Sequence, residues 1–212
     1  MSEIEIQDQN IRVVGLSGSL RDGSYSRKAV EIAINGATEL GAETQMLDLR
    51  DYNLPFCSGT RNVDSQIPDV RKIRSEVEAA DGIIVGTPEY HGSFSGVLKN
   101  ALDLMGFEEF EGKMMGLVSV SGGRMGGLDA LNSLRAIGRT LHAWVIPEQV
   151  SIPEVHNAFK NDGSLKNAKI QARLVNVGRQ VARFAYLHTA RQTNEFLQEW
   201  EEAPPNPGAK NR

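Results

Sequence analysis

The sequence predicts a doubly wound α/β domain built on one parallel sheet of five strands. Three observations carry that expectation. Short apolar runs alternate with stretches of helical period, the pattern of right-handed βαβ units. The runs are apolar throughout rather than alternating, as strands covered on both faces are. The chain has 212 residues, 40% hydrophobic and 24% charged, which suits one large globular domain better than two.

The first run, 11–16, leads through a serine- and glycine-rich turn into a helix from Ser26, where Ala29, Ile32, Ala33, Gly36, Ala37 and Leu40 keep the 3.6 period and Gly41 stands as the cap. The second run is 44–49. A helix over 68–80 follows, with Val70, Ile73 and Val77 on one side and Pro68 in its first turn. The third run is GIIVG (82–86), followed by a helix marked by Val97, Leu98, Ala101, Leu102 and Met105. The fourth is KMMGLVSV (113–120), followed by Leu128, Leu131, Leu134 and Ile137. The fifth is HAWVIP (142–147). After the turn NDGS at 161–164, Ile170, Leu174, Val177, Val181 and Phe184 define a long last helix. The expected layout is a flexible start (1–10), one domain (11–190) and an extension (191–212) whose proline-rich end, APPNPGAKNR, has the composition of a disordered tail.

Composition narrows the function classes. A net charge of -4 offers no basic face for nucleic acid. Cys57 is the one cysteine, so no internal disulfide forms; without a resolving partner it reads as an inert small side chain. The four histidines hold no pair at metal-ligand spacing, and no metal site is expected; His142, His156 and His188 receive no role. The opening MSEIEIQDQN lacks an apolar stretch, and no apolar run reaches the roughly 18 residues of a membrane span, so a cytoplasmic protein is expected. The 21 glycines exceed the usual proportion of about 7% and suggest backbone approaching a ligand.

Ligands of doubly wound sheets bind beyond the carboxyl ends of the strands, where strand order reverses. In the order 2-1-3-4-5, strands one, three and four are neighbours, and their three loops converge. The first, GLSGSLRDGSYSRK (15–28), is neither a Walker loop, since no GK[ST] follows, nor a GxGxxG turn, since its glycines are misspaced. Ser17, Ser19, Ser24 and Ser26, the free amides of the helix start and Arg21 or Arg27 supply what a terminal phosphate needs. The same serines also suit a plain capped turn. The second loop, TPEYHGSFSGVLKN (87–100), offers Pro88, Glu89, Tyr90, His91 and Gly92 for a flat heterocycle, or serves as a turn and helix cap. The third, SGGRMGG (121–127), lets backbone N–H groups approach a ring edge, or is simply a mobile glycine loop.

Taken in order and spacing, GSLRDGSYSRK, TPEYHGSFSGVLKNALD and SVSGGRMGG resemble the NADPH-dependent FMN reductase family of flavodoxin-like proteins, which includes quinone, azo-dye and chromate reductases. The likeness runs over 11–147. It implies that Ser17, Ser19, Arg21, Ser24 and Ser26 surround the FMN phosphate, and that Pro88, Glu89, Tyr90, His91 and Gly92 border the ribityl chain and isoalloxazine. It further implies that Ser121, Gly122, Gly123, Arg124 and Gly127 lie near the pyrimidine end. Two positions depart from the family: His91 stands where asparagine is common, and Ser95 where proline is common. His91 is read as surface-facing.

The resemblance implies an NAD(P)H-dependent FMN or quinone reductase. It would pass electrons from NADPH through FMN to quinones, free flavin or similar acceptors by a ping-pong mechanism, with no catalytic side chain required. Arg21 or Arg124 would meet the phosphates of NADPH. Homodimers or homotetramers are implied as well, and the helix over 166–187 with its EFLQEWEE extension is either an interface element or a cover for the sheet. The rival is a flavodoxin-type electron carrier, for which a charge of -4 is weak; a flavin-free scaffold is a third reading.

Overall fold

The chain's computed structural model describes residues 10–60 and 64–189; the expectations for the N-terminal residues before 10 and for the C-terminal extension lie outside them. Strand β1 (Arg12–Ser17) leads to α1 (Tyr25–Thr38), then β2 (Glu43–Asp48), a 3-10 turn (Leu49–Asp51) and α2 (Pro68–Glu78). There follow β3 (Gly82–Tyr90), β4 (Ser93–Phe94), α3 (Gly96–Asp103), α4 (Phe107–Phe110) and β5 (Met114–Val120). The remainder is α5 (Leu128–Thr140), β6 (Trp144–Ile152), α6 (Val155–Ala158) and α7 (Ala168–Thr189). The sheet runs β2-β1-β3-β5-β6, all parallel, and the two-residue β4 joins β3 antiparallel. With β4 set apart, this is the predicted 2-1-3-4-5 order.

Successive strand residues feed opposite cores. Val13, Ile84 and Val118 pack with Ala29, Val30 and Ala33 of α1 and Val177 and Val181 of α7. Val14, Ile83, Val85 and Leu117 pack with Ile73 of α2, Leu98 of α3 and Leu131 of α5. Both faces are covered, which explains why the strands read as unbroken apolar runs. Helices α1 and α7 touch backbone to backbone: a Cβ on Gly178 would collide with the carbonyl of Ala33.

Two predicted strands end too early. The third continues past Gly86 to Tyr90 and turns back through His91 and Gly92. The fifth continues past Pro147 to Ile152, because the ladder absorbs the proline as a bulge, stepping from Met115↔Val145 to Leu117↔Gln149. Proline has no N–H for the ladder, so the strand bows out there. The Arg135 guanidinium follows the bulge, its Nη2 donating to Ile146 O at 3.0 Å and to Gln149 Oε1 at 2.8 Å. Gly41 is not an immediate cap: α1 ends at Thr38, and Gly41 (φ 89°) reverses the chain three residues later, its N–H donating to Thr38 O at 2.9 Å. The short α4, α6 and 3-10 turn have no counterpart in the sequence reading, since one turn leaves no periodicity to detect.

Candidate functional site

Ser24 caps α1, its Oγ accepting from Arg27 N at 3.2 Å and lying 2.9 Å from Ser26 Oγ. Ser19 Oγ accepts from Arg21 N at 3.3 Å. The serines thus do some of the local capping that a plain turn would need. The turn is nonetheless underfilled for anions. The amides of Tyr25 and Ser26 open the helix and have no intrahelical carbonyl, and the first turn carries no acidic residue. Ser17, fully buried at the end of β1, has a hydroxyl with no partner. The turn is sewn to the second loop, with Gly18 N donating to Gly86 O at 2.8 Å and Ser95 Oγ donating to Gly18 O at 2.5 Å. A side chain at 18 would stand 2.7 Å from Leu98 Cβ, so only glycine lets the loops meet.

The charges around this turn are unequal. Arg27 Nε lies 3.1 Å and Arg50 Nη2 2.6 Å from Asp48 Oδ2, and Arg50 also reaches Asp22 at 3.3 Å. Burial pushes the Asp48 carboxyl up, but hydrogen bonds from Arg50 and the charges of Arg50 and Arg27 outweigh it and hold it below its ordinary value. Of the two arginines the sequence offered, Arg27 is therefore committed to Asp48. Arg21 is exposed and forms no ion pair among the described residues.

The second loop is a two-residue hairpin. His91 (φ 53°) and Gly92 (φ 76°) are both left-handed between the paired Tyr90 and Ser93, the arrangement of type I′ turns. His91 faces solvent, as the sequence reading had it. Glu89 Oε2 accepts from Ala130 N at 3.0 Å and so caps α5, whose own N-cap, Gly127, has no side chain to offer. In the third loop, Gly127 is held from both sides: its N–H donates to Ser151 Oγ at 3.0 Å, and its carbonyl accepts from Ser119 Oγ at 2.9 Å. Arg124 is nearly all in solvent, 3.7 Å from Glu154.

These loops enclose a cleft of about 420 Å³. Ser19, Arg21, Ser24 and Ser26 line it from the first loop, Pro88, Glu89 and Tyr90 from the second, and Ser121 and Gly122 from the third. The remaining predicted residues, Ser17, His91, Gly92, Gly123, Arg124 and Gly127, are not in its lining. Six lining residues went unassigned. Asp22, Gly23 and Tyr25 stand inside the quoted first loop, and Val120 closes β5. Val155 and His156 follow β6. The sequence pattern places the end of the last strand at Pro147, whereas its carboxyl end lies at Ile152, next to these two residues. That fourth segment is tied to the third loop by Glu154 N donating to Gly123 O at 3.1 Å and Val155 N to Ser121 O at 3.0 Å.

The lining fits a phosphorylated flat ring: hydroxyls and helix-start amides at one side, Pro88, Tyr90 and Val120 for an apolar ring. Residues 11–157 match the family described as NADPH-dependent FMN reductase. The chain belongs to that family. A relative from Bacillus sp. (strain OY1-2), named NADPH azoreductase, is 40% identical over 114 residues, covering 54% of this chain and 64% of the relative, less than two thirds of its length. The NADPH-dependent FMN reductase ArsH of Shigella flexneri is 32% identical over 182 residues, 84% of this chain and 69% of that protein. Among solved structures, FerB, a flavoenzyme NAD(P)H:(acceptor) oxidoreductase from Paracoccus denitrificans, is 22% identical and superposes with TM-score 0.70, covering 84% of this chain and 98% of FerB; it shares the fold. The family's description names FMN and NADPH.

Proposed function

We propose that the chain holds FMN in the 420 Å³ cleft and passes electrons from NADPH to small acceptors such as quinones, free flavin or azo compounds, by a ping-pong mechanism. The observation that carries this reading is the set of unspent donors at the start of α1, with the orphan Ser17 hydroxyl behind them. Bound FMN supplies the hydride acceptance and electron release. The chain's own residues bind and orient. Ser19, Ser24, Ser26 and the amides of Tyr25 and Ser26 receive the phosphate, with Arg21 as their free cation, and Ser17 gains its missing partner there. Pro88 to Tyr90 and Ser121 to Gly122 frame the ring, and Tyr90, 45% exposed, offers an aromatic surface where a flat acceptor enters. Glu89 is a strut between loops, because its carboxylate is engaged by Ala130 N. Outside the cleft, solvent-exposed Arg124 would exchange its loose pairing with Glu154, at 3.7 Å, for an NADPH phosphate, and the left-handed pair His91-Gly92 aims the Tyr90 peptide.

A homodimer or homotetramer acting in the cytoplasm belongs to the same proposal. Exposed Trp144, Phe184 and Leu187 at the edge of β6 and the end of α7 support a subunit contact. No helix among the described residues is long and apolar enough to cross a membrane. The test is direct. Apoprotein titrated with FMN should quench flavin fluorescence at one equivalent, and the holoprotein should consume NADPH steadily with quinone or free flavin, giving parallel double-reciprocal lines. Absence of FMN binding removes the proposal; FMN binding without NADPH turnover leaves an electron carrier.

A further inference from the structure

The segment after β6 brings to the cleft a side chain that the three loops do not account for. His156 lines the cavity. Its ring meets Tyr25 edge-on with centroids 5.8 Å apart, and Tyr25 stacks in turn on Phe159 at 5.3 Å. His156 Nε2 lies 3.6 Å from where a Cβ on Gly122 would stand, an ordinary van der Waals separation, so the imidazole borders the third loop at that position. The hydrogen bonds from Glu154 and Val155 to the third loop fix the backbone just ahead of it. The imidazole is thereby held between the first turn of α1 and the third loop, in the same cavity wall system as Ser19, Ser24 and Ser26.

The charge balance gives it a task. A flavin phosphate brings roughly two negative charges at neutral pH, and the helix terminus offsets only about half of one. Arg27 and Arg50 are drawn to Asp48, and Asp22 adds a further negative charge to the lining. Among the described residues, Arg21 is the one arginine that lines the cleft. A second N–H donor in the wall that can carry charge is what this balance calls for, and His156 is the only histidine in the lining among the described residues. Resting on the FMN reading above, we propose that His156 is a specificity-determining residue: its imidazole donates to the phosphate-bearing end of the flavin and selects FMN over riboflavin.

His156 is exposed, so replacing it leaves the core intact. Apoprotein of the wild type, His156→Phe and His156→Gln is titrated with FMN and with riboflavin, following flavin fluorescence. His156→Phe keeps a ring against Tyr25 but loses the donor, and should weaken FMN about tenfold while leaving riboflavin affinity unchanged. His156→Gln restores an N–H and should recover part of the loss. Unchanged FMN affinity in His156→Phe overturns the proposal, as does an equal loss for FMN and riboflavin, which would make His156 a wall for the ring. If the wild type itself fails to bind FMN, the functional reading falls and the inference with it; the wild-type titration thus separates the two failures.

Discussion

At the amino ends of the strands, Lys113 Nζ donates to Val77 O at 2.8 Å and to Glu78 O, closing the last turn of α2, and Arg12 Nη2 is shared between Gln45 and Glu76, while its buried Nε has no partner. At the carboxyl ends, two opening amides of α1 and a buried serine hydroxyl are left over, although hydroxyls and carboxylates elsewhere in the loops are used to sew one loop to the next. Folding therefore brings the amino end close to polar self-sufficiency, while the carboxyl end is rigid in its loops and open in its donors. That division is the physical form of a preorganised site: the loops are fixed before the ligand comes, and the donors are kept for it.

The largest test acts on the amino end. Lys113→Ala removes the ammonium from Glu78 O and from Val77 O, which keeps only its bond from Ala80 N, and should lower the unfolding free energy by about 2–3 kcal/mol in urea melts, with FMN affinity unchanged. A loss of FMN affinity in the folded variant would mean the two ends are coupled and would break the contrast. Burial pushes the Lys113 ammonium below 10.5, against the pull of Asp81, Glu78 and Glu109. The folded state thus releases this proton before the unfolded chain does, and this residue's contribution makes stability rise with pH between the lowered value and 10.5.

Asp48 sits at the carboxyl end but belongs to the saturated class, holding Arg50, Arg27 and the 3-10 turn together. Asp48→Asn should cost about 1–2 kcal/mol at pH 7. The folded value is depressed below 3.8, so the stabilisation is present above 3.8 and is lost as pH falls through the lowered value. Paired urea melts at neutral pH and below the carboxylate range should show the gap between variant and parent closing on acidification. A gap that stays constant would show that charge is not what Asp48 contributes.

Ser17→Ala sharpens the contrast most, because its two expected effects have opposite signs. Removing a buried hydroxyl with no partner should stabilise the apoprotein by about 1 kcal/mol, and should weaken FMN about fivefold. Lower apoprotein stability would mean that the hydroxyl is already satisfied, and unchanged FMN affinity would mean that the phosphate does not reach it.

The legible parts of this molecule are those where one physical demand writes itself into many residues. Strands covered on both faces read as apolar runs, and Val13, Val14, Ile83 and Ile84 were visible for that reason. The three loops stand out because their serines and glycines lie close together in sequence, the composition that a proposed anion and ring site calls for. What stayed hidden depends on partners distant in the chain. Pro147 looked like a strand end because the guanidinium of Arg135, which serves the bulge, comes from another element. With that end misplaced, Val155 and His156 were out of view. The choice between Arg21 and Arg27 turned on Asp48, which lies on a different strand. Glu89 read as a ring contact, and its bond to Ala130 N depends on a helix start some forty residues away.

The smallest effect concerns His91, where the sequence departs from asparagine. The hairpin requires positive φ at both central residues, and His91 adopts 53° at the first. Left-handed backbone costs a residue with a Cβ about 1 kcal/mol, less for asparagine, whose short amide suits that region. His91→Asn should therefore raise stability by about 0.5 kcal/mol, readable as a small upward shift in urea midpoint with an unchanged slope. The side chain faces solvent, so FMN affinity should hold. The partner position gives the control: Gly92 at 76° has open space around it, with only Asp129 Oδ2 near, at 3.9 Å, so Gly92→Ala is penalised by conformation and not by collision. If the asparagine variant binds FMN more tightly, the turn strains the Tyr90 peptide as well as itself, and the carboxyl end would be less fully preorganised than its loop-to-loop hydrogen bonds indicate.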